Sequence, residues 1–204
     1  MIISIVISIV MFMFAVVIHE FAHGWVAYKL GDSTAKYSGR LTLNPIAHID
    51  LYGTIIFPLM LAFMSQGRFI FGWAKPVPIN YWGLRNPKKD IIWVGFAGPA
   101  ANFLLAAALA VLINLNFLPK ILVVMFSMFA FYNLLLGVFN LIPIPPLDGS
   151  RILMGLLPNH LSEKYVKIEP YGFILLFAMM FFGMTSAIII PIVDLLSGFL
   201  GLSF

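Results

Sequence analysis

The chain has 204 residues, of which 62% are hydrophobic and 10% are charged, and its mean hydropathy is +1.02. A water-soluble globular domain does not have this composition, so we predict an integral membrane protein with no room for a second, soluble domain. The formal net charge of +4 comes from basic residues between apolar stretches and gives no nucleic-acid footprint, while the absence of cysteine excludes disulfides and thiolate metal sites.

Several apolar stretches approach or exceed the length needed to cross about 30 Å of hydrocarbon. We therefore predict one membrane-embedded domain over residues 1–204, an all-α polytopic bundle of about 5–6 membrane segments. The N-terminal stretch lacks a basic region and a small-x-small cleavage site, so it is predicted to be a retained helix rather than a signal peptide. The predicted spans are residues 2–30, 90–116, 121–141, 170–184 and 187–201.

Two further segments are predicted not to be ordinary spans. Residues 51–65 are apolar but short, and they contain Gly53 and Pro58, so they are expected to form a re-entrant element or a short span. Residues 150–165 mix charged and apolar side chains, which is typical of a helix lying at the membrane interface. A break near residues 183–186 leaves the last apolar stretch as one bent span or two short ones.

One pattern at the end of the first span carries chemistry, His19-Glu20-Phe21-Ala22-His23. Histidines four positions apart project from one face of a helix, so both imidazoles can reach one cation, with Glu20 beside them. A catalytic zinc commonly has three protein ligands and an open position for water, whose proton a neighbouring glutamate can accept and later deliver. Ionisable groups at membrane depth cost about 2.5 kcal/mol or more each, which favours a metal over a chance cluster.

A third ligand has to come from the remaining histidines and acidic residues. Asp148 stands apart among them, because it follows a segment with three prolines that cannot stay helical. Non-helical backbone at membrane depth is tolerated where it is buried in protein or lines a water-filled cavity, so a carboxylate there can turn towards a cation. On its own, Asp148-Gly149 would favour a simple turn. The other candidates are His48, His160, Asp32, Asp50, Asp90, Glu163, Glu169 and Asp194.

Three motifs lie within about residues 1–155, namely His19-Glu20-x-x-His23, Gly98-Pro99-x-x-Asn102 and Asn140-x-x-Pro143-x-x-x-x-Asp148-Gly149. With these motifs the chain resembles the site-2 proteases, which cleave transmembrane helices of other proteins within the membrane. The resemblance implies one zinc ion per chain, held by His19, His23 and Asp148. It also implies that Glu20 is the catalytic base and that Asn140 helps to hold the substrate or the developing oxyanion.

The activity implied by the resemblance is that of an intramembrane zinc endopeptidase acting in or near transmembrane segments of its substrates. Its partners would be transmembrane proteins and the lipid bilayer, and association of identical chains is left open. Many members carry a soluble PDZ or CBS module, for which this sequence leaves no room, so control is expected from a partner, the substrate or the membrane. The alternative is a zinc-binding membrane protein without catalysis, either a transporter or a holder of membrane segments, which would not need Glu20.

The proposed ligands also constrain the topology. His23 and Asp148 lie near the far ends of their spans, so the two spans have to run in the same direction, with an odd number of crossings between them. A re-entrant segment at residues 51–65 satisfies this requirement and places every Lys and Arg except Lys120 on one side, whereas a full crossing would divide the 12 basic residues eight to four. The positive-inside rule then predicts a multi-pass protein of the cell membrane with an external N-terminus and a zinc site nearer the cytoplasm.

The remaining polar segments have plainer interpretations. Residues 67–82 are rich in aromatic residues and proline, and they are predicted either to pair with unwound substrate as an added strand or to lie at the interface. The polar residues of 44–50 favour capping of a loop over a second metal or substrate site. Lys75 is expected to be an interfacial cation, and Asn102 to make a hydrogen bond between helices.

Overall fold

The computed structural model describes residues 2–64, 66, 72 and 74–202. Within these ranges the chain is all-helical and contains no strand, which confirms the predicted fold class. A π-helical stretch, Leu51–Ile56, leads into the third α-helix. The α-helices are α1 (Ile2–Lys29), α2 (Thr34–Tyr37), α3 (Phe57–Met64), α4 (Pro87–Asn114), α5 (Lys120–Asn140), α6 (Asp148–Leu156), α7 (Asn159–Val166), α8 (Gly172–Phe181) and α9 (Met184–Phe199).

Three helices of the described chain are long and apolar enough to cross a membrane, namely α1 from Val6 onwards, α4 and α5. A fourth candidate is the bent pair Asn159–Phe181 and Ser186–Phe199, whose halves meet at 78° and would together form one broken span. Gly183 lies in this break with a φ of +69°, a left-handed conformation that favours glycine. The larger count of about 5–6 membrane segments stays a prediction.

Two predicted segments take a more divided form in the structure. Of the apolar stretch predicted at 51–65, residues 51–64 form the π-helical stretch and α3, which together are too short for a straight crossing, and re-entry into the membrane stays a prediction. The interfacial helix expected over residues 150–165 is two helices, α6 and α7. The reason is Pro158, which pushes the preceding Leu157 into an extended conformation with ψ of 145° and so ends α6.

Helix α4 lies at the centre of the bundle, where it contacts α1, α5 and α6. Small residues allow this close packing, since Ala106 and Ala110 of α4 and Ala130 of α5 are all buried. A Cβ on Gly137 of α5 would lie 2.8 Å from the ring of Phe103 on α4, so these two helices meet where α5 has no side chain. Polar residues that face the α1–α4–α5 interface are therefore shielded from lipid.

The chain between α5 and α6 brings Asp148 back to the end of α1. Helix α5 ends at Asn140, and α6 begins at Asp148, after a non-helical segment that contains three prolines. A Cβ on Gly149 would overlap the carbonyl group of Leu141, so only glycine lets the first turn of α6 approach the preceding segment this closely. The predicted break in the helix thus places the Asp148 carboxylate beside the helix that carries the two histidines.

Candidate metal centre

The three side chains predicted to be metal ligands meet at one point. The Oδ2 atom of Asp148 lies 3.0 Å from Nε2 of His19 and 3.1 Å from Nε2 of His23, and the two Nε2 atoms are 3.0 Å apart. Both histidines are buried, and Asp148 is half-buried. In the described part of the chain, no other three His, Asp or Glu side chains are close enough to hold one metal ion.

The chemistry of these donors fits a zinc ion. Nδ1 of His23 lies 2.7 Å from the carbonyl oxygen of Val94, and because a carbonyl can only accept, Nδ1 carries the proton of the neutral ring. In the neutral ring Nε2 of His23 therefore carries a lone pair that faces the carboxylate oxygen of Asp148, and these two atoms can lie this close only with a proton or a metal ion between them. Two imidazoles and one carboxylate are a common protein ligand set for catalytic zinc.

Gly98 of α4 leaves the space beside the two imidazoles open. A Cβ at this position would lie 2.6 Å from Nε2 of His19 and closer still to Nε2 of His23. The backbone of α4 therefore approaches the candidate ligands to a distance that only glycine permits. Any larger residue would occupy the space in which the three donor atoms converge.

Glu20 is held by segment 74–80, which has no regular secondary structure. Its Oε2 atom accepts a hydrogen bond of 2.8 Å from the backbone N–H of Val77, and its Oε1 atom has no hydrogen-bond partner among the described residues. Pro76 and Pro78 flank Val77, and proline has no N–H to donate. The three-residue stretch thus offers a single backbone donor, and that donor is directed at the Glu20 carboxylate.

Two buried charged side chains hold segment 74–80 in place. The Arg40 guanidinium donates to the carbonyl oxygens of Lys75, at 2.6 Å, and of Pro76, at 3.3 Å. The Asp32 carboxylate accepts a hydrogen bond of 2.8 Å from the backbone N–H of Asn80. Hydrogen bonds to charged groups are stronger than those between neutral groups, so both ends of the segment are fixed.

Helix α6 begins with Asp148, and another charged side chain of this helix, Arg151, contacts neighbouring segments. Arg151 pairs with Glu169 at 2.6 Å, and its guanidinium carbon lies 5.6 Å from the ring centre of Tyr81. Burial raises the pKa of Tyr81 above its ordinary value, so the phenol is neutral near pH 7. The contact between Arg151 and Tyr81 is therefore a cation–π contact rather than an ion pair.

Asn140 is not hydrogen-bonded to the three convergent side chains in the described part of the chain. Its Nδ2 atom donates a hydrogen bond of 3.0 Å to the carbonyl of Leu136, one turn earlier in α5. Asn140 makes no hydrogen bond to the histidines or to Asp148 within the described part of the chain. A role in holding the substrate or the oxyanion stays a prediction.

The other polar segments behave largely as expected. Asn44 accepts a hydrogen bond from the N–H of Ile46, and Asp50 accepts one from the N–H of Gly53, which confirms the predicted loop capping. Lys75 is exposed. Of the loop predicted at residues 67–82, residues 67–71 and 73 lie outside the described residues, so the choice between an added strand and an interfacial loop stays a prediction.

Two contributors to the centre were missed in the sequence, Asn133 and the backbone of Val77. Asn133 is fully buried in α5 and bonds to Asn102, which in turn bonds to His19, so the predicted hydrogen bond of Asn102 between helices is confirmed. A polar residue inside an apolar span is by default a functional hypothesis, and this signal could have found Asn133. The Pro-Val-Pro stretch signals a lone donor, but not the side chain that it faces.

In this helical membrane bundle, two histidines of an HExxH helix meet an aspartate. These features place the chain in the class of membrane-bound metalloproteases. Comparison with known families gives the particular group. The model of Peptidase family M50 matches residues 7–120 and 116–183, so the chain belongs to this family, that of the site-2 proteases. It is accordingly a zinc metalloprotease and an integral membrane protein.

Three relatives, each with zinc metalloprotease in its name, illustrate the extent of the similarity. The chain is 39% identical to YwhC of Bacillus subtilis (strain 168), over 86% of this chain and 80% of YwhC. It is 30% identical to Rip2 of Mycolicibacterium smegmatis, over 80% of this chain and 62% of that protein. It is 29% identical to MJ0392 of Methanocaldococcus jannaschii, over 87% of this chain and 43% of that protein. No solved structure shows a significant match.

Proposed function

We propose that this zinc metalloprotease hydrolyses peptide bonds in or near transmembrane segments of other proteins, with His19, His23 and Asp148 holding its zinc. The observation that carries the proposal is the convergence of these three side chains within about 3 Å of one another on helices that belong to a membrane bundle. Two of the ligands lie on α1, a helix apolar enough to cross the bilayer. A site built on such a helix favours substrates that are themselves in the membrane.

Glu20 is proposed to carry the proton through the reaction. Zinc, when bound, supplies a Lewis acid that polarises the scissile carbonyl and makes water acidic enough to react near neutral pH. Glu20 takes a proton from the attacking water as the new C–O bond forms, and it delivers that proton to the departing amine as the C–N bond breaks. The hydrogen bond from Val77 to Oε2 supports this role, because it orients the carboxylate and leaves Oε1 for the proton.

The substrate has to be unwound before it is cut. A transmembrane helix bonds its own amides internally, and lipid excludes the water that hydrolysis consumes. Segment 74–80 is non-helical and bonds to Glu20 through Val77, so an unwound peptide beside it would be close to the proposed base. Pairing of such a peptide with this segment by strand addition is the mode of binding that we propose.

We also propose that the zinc site faces the cytoplasmic side of the cell membrane. Basic residues lie near the end of α1, near the start of α4 and after α5, while Lys120 is the first residue of α5, at the opposite end of that helix. The positive-inside rule favours the first group on the cytoplasmic side. A reporter fused after Lys120 is expected to be external, and a cytoplasmic reporter would contradict this orientation.

The decisive experiment replaces Glu20 by Gln, which keeps the size of the side chain and removes its ability to accept the proton. Membrane proteins of cells that carry the parent or Glu20→Gln are compared, and transmembrane proteins that are cut only by the parent are sought. We expect uncut proteins to accumulate with Glu20→Gln, while its zinc content remains that of the parent. The matched control is Glu163→Gln, at an exposed position of α7, which should behave as the parent does. Equal cleavage by Glu20→Gln and the parent would refute the proposed mechanism.

A further inference from the structure

We infer that Asn102 and Asn133 are positioning residues that keep the proton of His19 on Nδ1 and so keep Nε2 free to bind zinc. The inference rests on the proposed function in one respect, the assignment of His19 as a zinc ligand. It concerns Asn102 of α4 and Asn133 of α5, which are not among the proposed zinc ligands. The observation that supports it is a series of hydrogen bonds in which the donor and the acceptor of each bond can be assigned.

The row joins three membrane helices through two fully buried amides. Oδ1 of Asn102 lies 2.6 Å from Nδ1 of His19, and Nδ2 of Asn102 lies 2.8 Å from Oδ1 of Asn133 and 3.2 Å from the carbonyl oxygen of Ala15. Nδ2 of Asn133 lies 2.8 Å from the carbonyl oxygen of Phe129. Both asparagine side chains are completely inaccessible to solvent, so water cannot replace any of these partners.

The direction of each bond follows from the backbone carbonyl at the far end. The oxygen of Phe129 can only accept, so Asn133 directs its NH2 group there and its own oxygen towards Asn102. That oxygen also only accepts, as does the carbonyl of Ala15, so Asn102 directs its NH2 group to both of them. The oxygen of Asn102 is thereby left facing His19, and it needs a donor. The orientation of both amides is fixed by the network rather than free to flip.

His19 has to supply that donor from Nδ1. In the neutral imidazole only one nitrogen carries a proton, so a proton on Nδ1 leaves a lone pair on Nε2. His23 reaches the same state more directly, because its Nδ1 donates to the carbonyl of Val94. Asn102 thus does for His19 what a backbone carbonyl does for His23, and both Nε2 atoms are directed at Asp148 as acceptors.

Loss of this arrangement would weaken metal binding without removing a ligand. If the proton were on Nε2, His19 could bind zinc through this atom only after the proton had moved to Nδ1, and this change of tautomer costs free energy. Partners that orient a metal-binding histidine typically contribute 10- to 100-fold, roughly, to metal affinity. Helix α5 therefore influences the zinc site although it supplies none of the proposed ligands.

The first experiment needs no substitution. The full chain, labelled with ¹⁵N-histidine and freed of metal by a chelator in lipid bilayers, is examined by solid-state NMR, in which protonated and unprotonated ring nitrogens have distinct shifts. His19→Gln and His23→Gln samples assign the signals. We expect neutral His19 to carry its proton on Nδ1. An Nδ1 of His19 without a proton in the metal-free parent would overturn the inference.

The second experiment compares two replacements of Asn102 by zinc affinity, measured through competition with a chelator. Asn102→Leu fills the space but cannot accept from His19, and about 10- to 100-fold weaker binding is expected. Asn102→Asp, as the neutral acid, keeps an acceptor for Nδ1 and a donor for Asn133 or Ala15, so its affinity should stay within about threefold of the parent. Unchanged affinity in the Leu variant, or an equal loss in both variants, would overturn the inference, because the acceptor would then be irrelevant.

A control on the same helix separates this effect from general loss of packing. Asn114 of α4 donates a hydrogen bond of 2.9 Å to the carbonyl of Leu200 at an exposed position, and Asn114→Leu should leave zinc affinity unchanged. Asn133→Leu should give a smaller loss than Asn102→Leu, since Ala15 still accepts from Asn102. If Asn114→Leu weakens zinc binding as much as Asn102→Leu does, the specific role of the network is refuted.

His19→Ala separates this inference from the proposed function. If His19→Ala binds zinc as tightly as the parent, the ligand assignment itself is wrong. If His19→Ala loses zinc while Asn102→Leu keeps it, the ligand assignment stands and only the positioning role of the amides fails.

Discussion

The two faces of the HExxH helix are held in different ways. The imidazoles of His19 and His23 are bonded by atoms inside α4, the side chain of Asn102 and the carbonyl of Val94. These partners belong to a helix that is packed on several sides, and neither histidine can turn without disturbing the bundle core. The face of α1 that carries His19 and His23, called the metal face below, is therefore fixed by the same packing that forms the fold.

The Glu20 face depends on a segment without regular structure. Its partner, the N–H of Val77, lies in segment 74–80, which the side chains of Arg40 and Asp32 hold by hydrogen bonds to the backbone. Such a segment is easier to displace than a helix in the core, because fewer apolar contacts are lost. The comparison predicts that metal binding and the proposed proton transfer by Glu20 can be altered separately, although their residues are neighbours in the sequence.

The largest effect is expected at Gly98, which breaks the metal face. Gly98→Ala places a methyl group where the donor atoms converge, 2.6 Å from Nε2 of His19, so an imidazole has to move. We expect zinc affinity to fall by about 100-fold and proteolysis to fall with it. Zinc content and chelator competition measure the first effect.

The matched control is Gly198→Ala in α9, where a Cβ would meet nothing within 4 Å. Its zinc affinity and activity should equal those of the parent. Normal zinc binding by Gly98→Ala would show that the helix can move aside and that the metal face is softer than the packing suggests.

The next effect should fall on the Glu20 face alone. Val77→Pro removes the one backbone donor that faces the Glu20 carboxylate, whereas Val77→Ala retains it. We expect Val77→Pro to lower the cleavage rate by about tenfold, because a misplaced catalytic group can cost that much, while zinc stays bound. Val77→Ala should stay within about threefold of the parent. A parallel loss of zinc in Val77→Pro would contradict the separation of the two faces.

A smaller effect is expected from the side chain that holds segment 74–80. Arg40→Met keeps the apolar stem but removes the donors to the carbonyls of Lys75 and Pro76. We expect a loss of about 1–3 kcal/mol in stability and a several-fold loss of activity, with zinc affinity unchanged. Thermal unfolding and cleavage assays measure these changes, and the exposed Lys89→Met serves as a charge-loss control. Full activity in Arg40→Met would mean that segment 74–80 does not need this support.

The smallest effect is expected at the ion pair on α6. Glu169→Gln breaks the pair with Arg151, but both side chains are partly exposed, and such pairs contribute about 0–1 kcal/mol. Zinc affinity should not change, because Asp148 is held by the close contact of Gly149 with the preceding segment. A tenfold loss of zinc affinity in Glu169→Gln would contradict this expectation and show that the Arg151–Glu169 pair also supports zinc binding.

The convergence of His19, His23 and Asp148, the proposed ligands, could be predicted from the sequence because the signals for it are local. His19 and His23 share a helical face by their spacing, and the prolines before Asp148 require the helix to break at that point. The three long apolar helices follow from composition in the same way. These features depend on neighbours in the chain, which a single sequence displays directly.

The partners of those residues could not be predicted, since they come from distant parts of the chain. Val77 is 57 positions from Glu20, and Asn102 is 83 positions from His19. Hydropathy marks Asn102 and Asn133 as unusual within apolar helices, but it does not say which polar atoms meet. The division of residues 150–165 into two helices follows from Pro158, so this part of the fold could have been predicted from the sequence.

The distance along the chain between the proposed ligands has a consequence for biosynthesis. Asp148 lies 125 residues after His23, and it emerges only when α1, α4 and α5 have been made. A nascent chain that ends within α5 holds two imidazoles but no carboxylate between them. Proteolytic competence would then arise late, once most of the bundle is in the membrane, and an unfinished copy of the enzyme would leave its neighbours in the translocation machinery uncut.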